Sequence, residues 1–170
     1  MIYKFRIILD AEEDVFRDIE IESTDNLEDL NNAIAQAFGF DGSEMASFYL
    51  SDNEWNQGEE IVQFDMSEGV DEVRIMSEII IEDILDKQNS NIIYVYDYYN
   101  MWTFFVELAA IDEKDQAQSY PNLLFAHGQL PDSPPNKQFE AEKLSDFDDE
   151  PDDDFDVDNY ENFDFDENWN

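Results

Sequence analysis

The chain opens on an alternation of apolar and polar positions. Over residues 2–9, Tyr3, Phe5, Ile7 and Leu9 fall on one face of an extended segment, and Lys4 and Arg6 fall on the other. An acidic turn at 10–14 leads into 15–22, where Ile19 and Ile21 alternate with Asp18, Glu20 and Glu22. This predicts an antiparallel hairpin with one solvated face. The period then lengthens. Leu27, Leu30, Ile34, Ala37 and Phe38 mark one side of a helix, the stripe expected of a helix laid on a sheet. Asp25 lies three residues before Glu28, the spacing of a capping box, and Gly39 stands where a helix ends in the left-handed conformation.

Residues 48–50 read as a short strand, and 51–60 as a polar loop holding Trp55. Residues 62–66 and 73–76 are expected to be extended, and a short helix begins near Ile81. The strongest strands are 91–98 and 101–109. In the first, Tyr94, Tyr96 and Tyr98 oppose Ile93 and Val95; in the second, Trp102, Phe104, Val106 and Leu108 share a face. Large apolar residues on both faces predict a central position in the sheet. Tyr99 and Asn100 form the turn between them, with Asn100 suited to a positive φ. The proline-rich segment 120–135 is expected to be irregular. The predicted class is therefore α+β: a curved, mostly antiparallel sheet, built from the N-terminal hairpin and a central aromatic hairpin, packed by one main helix and a short second helix.

Composition divides the chain in two. Residues 140–170 hold fifteen Asp or Glu and one Lys, a net of −14 out of −37, so the preceding part is acidic as well at −23. A domain over 1–138 can bury a core, whereas 139–170 lacks apolar periodicity and is expected to be disordered in isolation. That tail is nevertheless studded with Phe147, Phe155, Tyr160, Phe163, Phe165 and Trp169, more aromatic surface than solubility requires. The charge points away from direct nucleic-acid binding, which draws its affinity from Lys and Arg, and away from anionic membranes; its natural counterpart is a basic protein partner, a cation or plain solubility. There is no cysteine, hence no disulfide, thiolate metal site or cysteine nucleophile. No signal-peptide cleavage pattern or span of roughly 20 apolar residues is present, so a cytoplasmic setting is expected.

Candidate chemistry is sparse. Asp154, Asp156 and Asp158 begin like a calcium loop, but Asn159 stands where the loop needs Gly and Phe165 where it needs the bidentate Glu. His127 is the single histidine, and no nucleophile motif surrounds it. Carboxylate pairs carry no specificity among 45 acids. Asp97 differs because it interrupts an aromatic strand: it is either partly buried there or on the solvent face of an edge strand. Five scattered glycines build no phosphate-binding loop, and no cofactor or metal is expected. The candidate functional surface is Tyr94, Tyr96, Asp97, Trp102 and His127, and the sequence sets no oligomeric state.

Three segments together resemble the plasmid pRiA4b ORF-3-like family, which is of unknown function. LEDLNNAIAQAFGF (27–40) is similar to its helix motif, IYVYDYYNMWTFFVEL (93–108) to its aromatic strand pair, roughly YxYDFGDxWxHxI, and YPNLLFAHGQLPDSPP (120–135) to its proline-rich segment. The resemblance covers residues 1 to about 137 and leaves the tail outside. It rests on Tyr94, Tyr96, Asp97, Trp102, Tyr120, Pro121, Pro131, Pro134 and Pro135. Tyr99 and Asn100 replace the family's Gly-Asp turn, Phe104 stands where the family often has His, and Met45 and Ala46 fall near a second His-rich stretch. The Cys and closing Gly-Gly of the third segment are missing. If family members use those His positions for metal or catalysis, this chain has lost them. The resemblance implies an α+β fold with a helix against a curved sheet and supplies no reaction.

The leading expectation is a non-enzymatic interaction protein whose acidic-aromatic tail binds a basic partner, with the aromatic residues as anchors. Two alternatives stand beside it. In one, the tail only solubilises, and Asp97, Trp102 and His127 converge on a cryptic or degenerate hydrolase-like site. In the other, ordered carboxylates imitate phosphates and inhibit a DNA-binding protein.

Overall fold

The structure, a computed structural model, describes residues 1–69 and 72–134. Its fold is α+β, and among the described residues the strands form one sheet. β1 (Ile2–Leu9) and β2 (Phe16–Glu22) form the N-terminal hairpin, with Ile2 opposite Glu22 and Ile8 opposite Phe16. α1 (Leu27–Phe38) follows, then β3 (Ala46–Ser51), β4 (Gln57–Val62) and β5 (Arg74–Ile75). A 3-10 turn over Met76–Glu78 and the short α2 (Ile81–Ile84) lead to β6 (Asn91–Tyr96), β7 (Trp102–Asp112) and β8 (Asn122–His127). The sheet order is β5-β4-β3-β6-β7-β1-β2-β8, antiparallel throughout except for the short β4–β5 pair. The aromatic hairpin β6–β7 holds the middle, and all six residues of β6 are buried.

One face of the sheet is the core. Tyr3, Phe5, Ile7 and Leu9 of β1 are buried on it, as the alternation requires, together with Phe104 and Val106 of β7 and Phe48 of β3. Each large side chain so buried contributes about 1.5–3 kcal/mol relative to exposure. α1 covers this face with Leu27, Leu30, Ile34 and Phe38. On the opposite face, Trp55 rests on Phe105 at 4.9 Å between ring centroids, and Arg6 lies over the Phe16 ring while pairing bidentately with Asp18.

The helix starts one residue later than its composition suggests. Asn26, not Asp25, is the N-cap: its side chain accepts from the Asp29 N–H at 2.8 Å, and the Asp29 carboxylate accepts from the Asn26 N–H at 3.2 Å. The reason is tertiary. Residues 25–27 run extended against 79–81, with the Ile81 N–H on the Asp25 carbonyl and the Leu27 N–H on the Ile79 carbonyl, so no helix can begin before Leu27. At the other end, Gly39 takes φ +86°; its N–H bonds the Gln36 carbonyl, and the Phe40 N–H bonds the Ala35 carbonyl. This is a Schellman turn, and it sends Phe40 back over the sheet.

Three further segments depart from their sequence patterns. β4 begins at Gln57, inside the stretch expected to be a loop, because the β3 edge supplies a ladder for it. Gly58 is required there, since a Cβ would lie 2.8 Å from the Leu50 carbonyl oxygen. The turn between β6 and β7 takes its positive φ at Asp97 and Met101, not at Asn100. The segment 120–135, expected to be irregular, contains β8, which pairs with β2 and forms one edge of the sheet.

Arg17 secures that edge strand. It lies in phase with Ile19 and Ile21, so its side chain points into the helix-covered face and is buried. Its guanidinium donates to the carbonyls of Ala37 (3.0 Å), Phe16 (2.8 Å) and His127 (3.0 Å) and lies 4.8 Å over the Phe38 ring. Burial lowers its pKa. One side chain thus joins the last turn of α1, β2 and β8, with carbonyl dipoles in place of a counter-ion. Arg17→Met should cost about 2 kcal/mol or more, because it leaves buried carbonyls without their donors. In urea unfolding the midpoint should fall accordingly, and the amides of β8 should lose hydrogen-exchange protection before those of β6.

Candidate functional site

The aromatic hairpin is built inward. The Tyr94 ring is fully buried between Phe48 (5.0 Å) and Phe104 (5.9 Å), and its hydroxyl donates to Asn31 Oδ1 of α1 at 2.5 Å. Burial pushes its hydroxyl pKa far above the ordinary value. Tyr96 stacks on Phe40 with centroids 4.3 Å apart, and Trp102 meets the same ring at 5.5 Å. The Schellman turn is what brings Phe40 to both. The Tyr96 hydroxyl accepts from the Glu44 N–H at 3.3 Å. These rings form a packed layer against α1 and its C-terminal turn.

Asp97 follows directly and is 7% exposed, which resolves the two placements left open for it in favour of burial. Its φ is +69°, and its N–H donates to the Met45 carbonyl at 2.8 Å. Its Oδ1 accepts from the N–H groups of Tyr99 (3.1 Å) and Asn100 (3.4 Å), and its Oδ2 accepts from Asn100 Nδ2 at 2.7 Å. The carboxylate is therefore the inner scaffold of its own turn. That turn carries Tyr99 and Met101 outward, with Tyr99 92% exposed, and folds the Tyr98 hydroxyl back onto the Ala46 carbonyl of β3 at 3.1 Å.

His127 lies elsewhere. Its ring stacks on Phe16 at 5.2 Å, and Phe16 is opposite Ile8, which is opposite Phe105. Trp102 alternates in phase with Phe104 on the helix-covered face, whereas Phe105 and Phe16 belong to the other face. The structure thus brings Tyr94, Tyr96, Asp97 and Trp102 together and leaves His127 three strands away on the opposite side. Among the described residues no group of three or more His, Asp or Glu is placed to hold a metal ion. Phe147, Phe155, Tyr160, Phe163, Phe165 and Trp169, and the calcium-loop pattern at 154–165, lie outside the described residues.

Two features had no part in the sequence reading. Ser47, fully buried on β3, donates to Glu60 Oε2 at 2.8 Å, lies 2.6 Å from the Tyr98 hydroxyl, and shares Glu60 with Tyr49. Burial, followed by the Glu60 charge, pushes the Tyr49 hydroxyl up to about 12. The second is β8 itself. Leu123, Leu124 and Phe125 are consecutive and 52%, 46% and 52% exposed. A short apolar run bounded by Pro121 and Gly128 is a strand signal that could have revealed it. On its helix side, β8 borders a groove of about 190 Å³ lined by Ile19, Ala33, Gln36, Ala37 and Leu123. A wider hollow of about 420 Å³, lined by Glu20, Ala117, Ser119 and Leu124, shares Asn122 and Leu123 with that groove. The groove is smaller than the roughly 300–1,000 Å³ of small-molecule sites and is suited to a side chain.

A family model matches nearly the full length of the chain. The chain belongs to the plasmid pRiA4b ORF-3-like family. The match runs over residues 1–169, past the boundary near residue 137 that the three motifs suggested. No curated protein matches the chain. Among solved structures, the crystal structure of a protein of unknown function, MM3350 from Methanosarcina mazei Go1, is similar with a TM-score of 0.64 at 16% identity, covering 74% of this chain and 68% of that one. At that identity the likeness shows the fold alone. No helix among the described residues is long and apolar enough to cross a membrane.

Two outcomes test this geometry. Tyr94→Phe leaves the buried Asn31 carbonyl without its donor and should cost about 1–3 kcal/mol, read as a lower thermal midpoint. Tyr3, Tyr49, Tyr94 and Tyr98 all have folded-state pKa values raised above 10.0, chiefly by burial. The folded state therefore holds their protons more tightly than the unfolded one. The stability present below pH 10 should fall as pH rises from about 10 to about 12 and beyond. Tyrosinate absorbance should rise late and together with loss of circular dichroism.

Proposed function

We propose that this member of the plasmid pRiA4b ORF-3-like family is a non-enzymatic interaction protein that engages a basic partner, with its acidic-aromatic segment 139–170 as the principal contact. The observation that carries this reading is the disposition of the positive charge. Of the eight Lys and Arg in the chain, Lys4, Arg6, Arg74 and Lys114 are already paired with Asp112, Asp18, Glu59 and Glu22. Arg17 is buried on backbone carbonyls. The acids left over dominate the surface field of a chain with net charge −37, and such a field draws in cationic surfaces and repels phosphate and anionic lipid.

Phe147, Phe155, Tyr160, Phe163, Phe165 and Trp169 are the anchors in this proposal. Aromatics supply most of the affinity of an interface, and surrounding carboxylates supply steering and specificity. An interaction role also accords with Asp97 serving its own turn and with His127 lying across the sheet from Trp102. The same reading takes the cytoplasm as its setting.

Deletion of 140–170 should abolish a salt-sensitive interaction in affinity capture from native lysate, with full-length and shortened chains compared side by side. Raising the salt from about 0.1 M to 1 M shortens the screening length from about 10 Å to about 3 Å and should release the same partners from the full-length chain. A shortened chain that keeps every partner would refute the assignment to the tail.

A further inference from the structure

We propose that the free edge of β8 is a docking site for an extended apolar segment flanked by Lys or Arg, which adds to the sheet as a ninth strand. The proposal rests on the basic-partner reading and adds a second contact, in the folded domain. Three observations carry it.

The first is the edge. β8 is the last strand in the order and pairs only with β2 among the described strands, so among those residues the N–H and C=O groups of its outer side have no ladder partner. Natural edges are usually blunted by Lys, proline or bulges. β8 has Pro121 before its first residue and a register shift at Leu124, but it carries no Lys or Arg. It exposes about half of each of Leu123, Leu124 and Phe125 instead.

The second is the pair of hollows. Successive side chains of an added strand point to opposite faces of the sheet. The groove reaches α1 and Ile19, the hollow reaches Glu20, the next residue of β2, and the two share Asn122 and Leu123 as walls. The two together can receive alternate side chains of one incoming strand, the mode in which backbone bonds give affinity and pockets give selectivity. Arg17 holds β8 to β2 and α1 from the core side, through the His127 carbonyl, so the template is already assembled.

The third is the charge at the two ends. Near His127, the exposed Glu12, Glu13 and Asp14 follow the β1 turn, and the Asp14 carbonyl oxygen would lie 2.6 Å from a Cβ on Gly128. At the other end, the exposed Asp115 lies beside Tyr120, its N–H donating to the Tyr120 hydroxyl at 3.1 Å. An apolar edge with acids at both ends is complementary to an apolar segment with cations at both ends. A second copy of this chain fits poorly. Antiparallel β8–β8 pairing sets the acidic end of one strand beside the acidic end of the other, between molecules of net charge −37 each.

The test uses the full-length chain and the peptide KKVTVTVTKK, followed by calorimetry and amide hydrogen exchange. Binding should add protection to β8 amides. The variant with Leu124→Ser and Phe125→Ser, both half-exposed residues, should bind at least about tenfold more weakly with an unchanged circular dichroism spectrum. The peptide KKVTPTVTKK, whose proline removes a ladder donor, should weaken binding similarly to wild-type protein, and EEVTVTVTEE should not bind. A variant with serine at Phe147, Phe155, Tyr160, Phe163, Phe165 and Trp169 should keep the affinity. Several results would overturn the proposal: no binding to wild type, equal binding by the β8 variant, or tolerance of the proline. Loss of binding in the tail variant alone would overturn it while sustaining the basic-partner reading. A β8-dependent dimer in sedimentation would assign the edge to a second copy and overturn it as well.

Discussion

The layer of aromatic rings between α1 and the β6–β7 hairpin is the constraint on which the rest of the domain depends. Phe38 meets Phe104 at 4.6 Å, and Phe40 meets Tyr96 at 4.3 Å. Phe38 and Phe40 lie on either side of a glycine whose left-handed backbone reverses the chain. Without that reversal Phe40 would continue along the helix axis, and Tyr96 and Trp102 would lose their cover. The Asn31–Tyr94 hydrogen bond fixes the helix along its length against the same strand. Non-directional burial holds the layer together, and two directional contacts, one at the helix end and one at its middle, set its register.

The outer part of the domain follows a different logic. Its ion pairs are exposed, and isolated surface pairs contribute about 0–1 kcal/mol each. Lys4–Asp112 ties neighbouring strands and Lys114–Glu22 ties β2 to the loop after β7, but both leave the large excess of carboxylates uncompensated. The fold tolerates that excess because the sheet's stability resides in rings and aliphatic side chains on the helix side, where charge is nearly absent. Acidity is thus a property of the surface that the core neither needs nor resists.

How much of this was legible in the sequence depended on whether local pattern or distant pairing decided each element. The hairpin of β1 and β2, the helix with its Gly39 stop, and the β6–β7 pair all follow from periodicity, because their burial is one-sided or complete over several residues. The cap was displaced from Asp25 to Asn26 because the strand-like contact with 79–81 occupies the Asp25 carbonyl. The beginning of β4, Gln57 to Glu60, is polar and exposed and becomes a strand through the β3 ladder. β8 was hidden because its apolar residues do not alternate around the register shift at Leu124. For the candidate site, the four residues in and beside the aromatic hairpin cluster as their spacing suggested. His127 does not join them, because the face of a residue on β8 is set by its pairing with Phe16, which no local pattern reports.

The buried Arg17 gives the edge strand an attachment with unusual chemical indifference. A guanidinium does not deprotonate at pH values where proteins stay folded, and backbone carbonyls do not titrate at all. Acidification protonates the carboxylates that hold Lys4, Arg6, Arg74 and Lys114, and high salt screens those pairs; neither reaches the bonds from Arg17 to Ala37, Phe16 and His127. Beside its backbone ladder to β2, the outermost strand is therefore moored by a side-chain contact that acid and salt hardly reach.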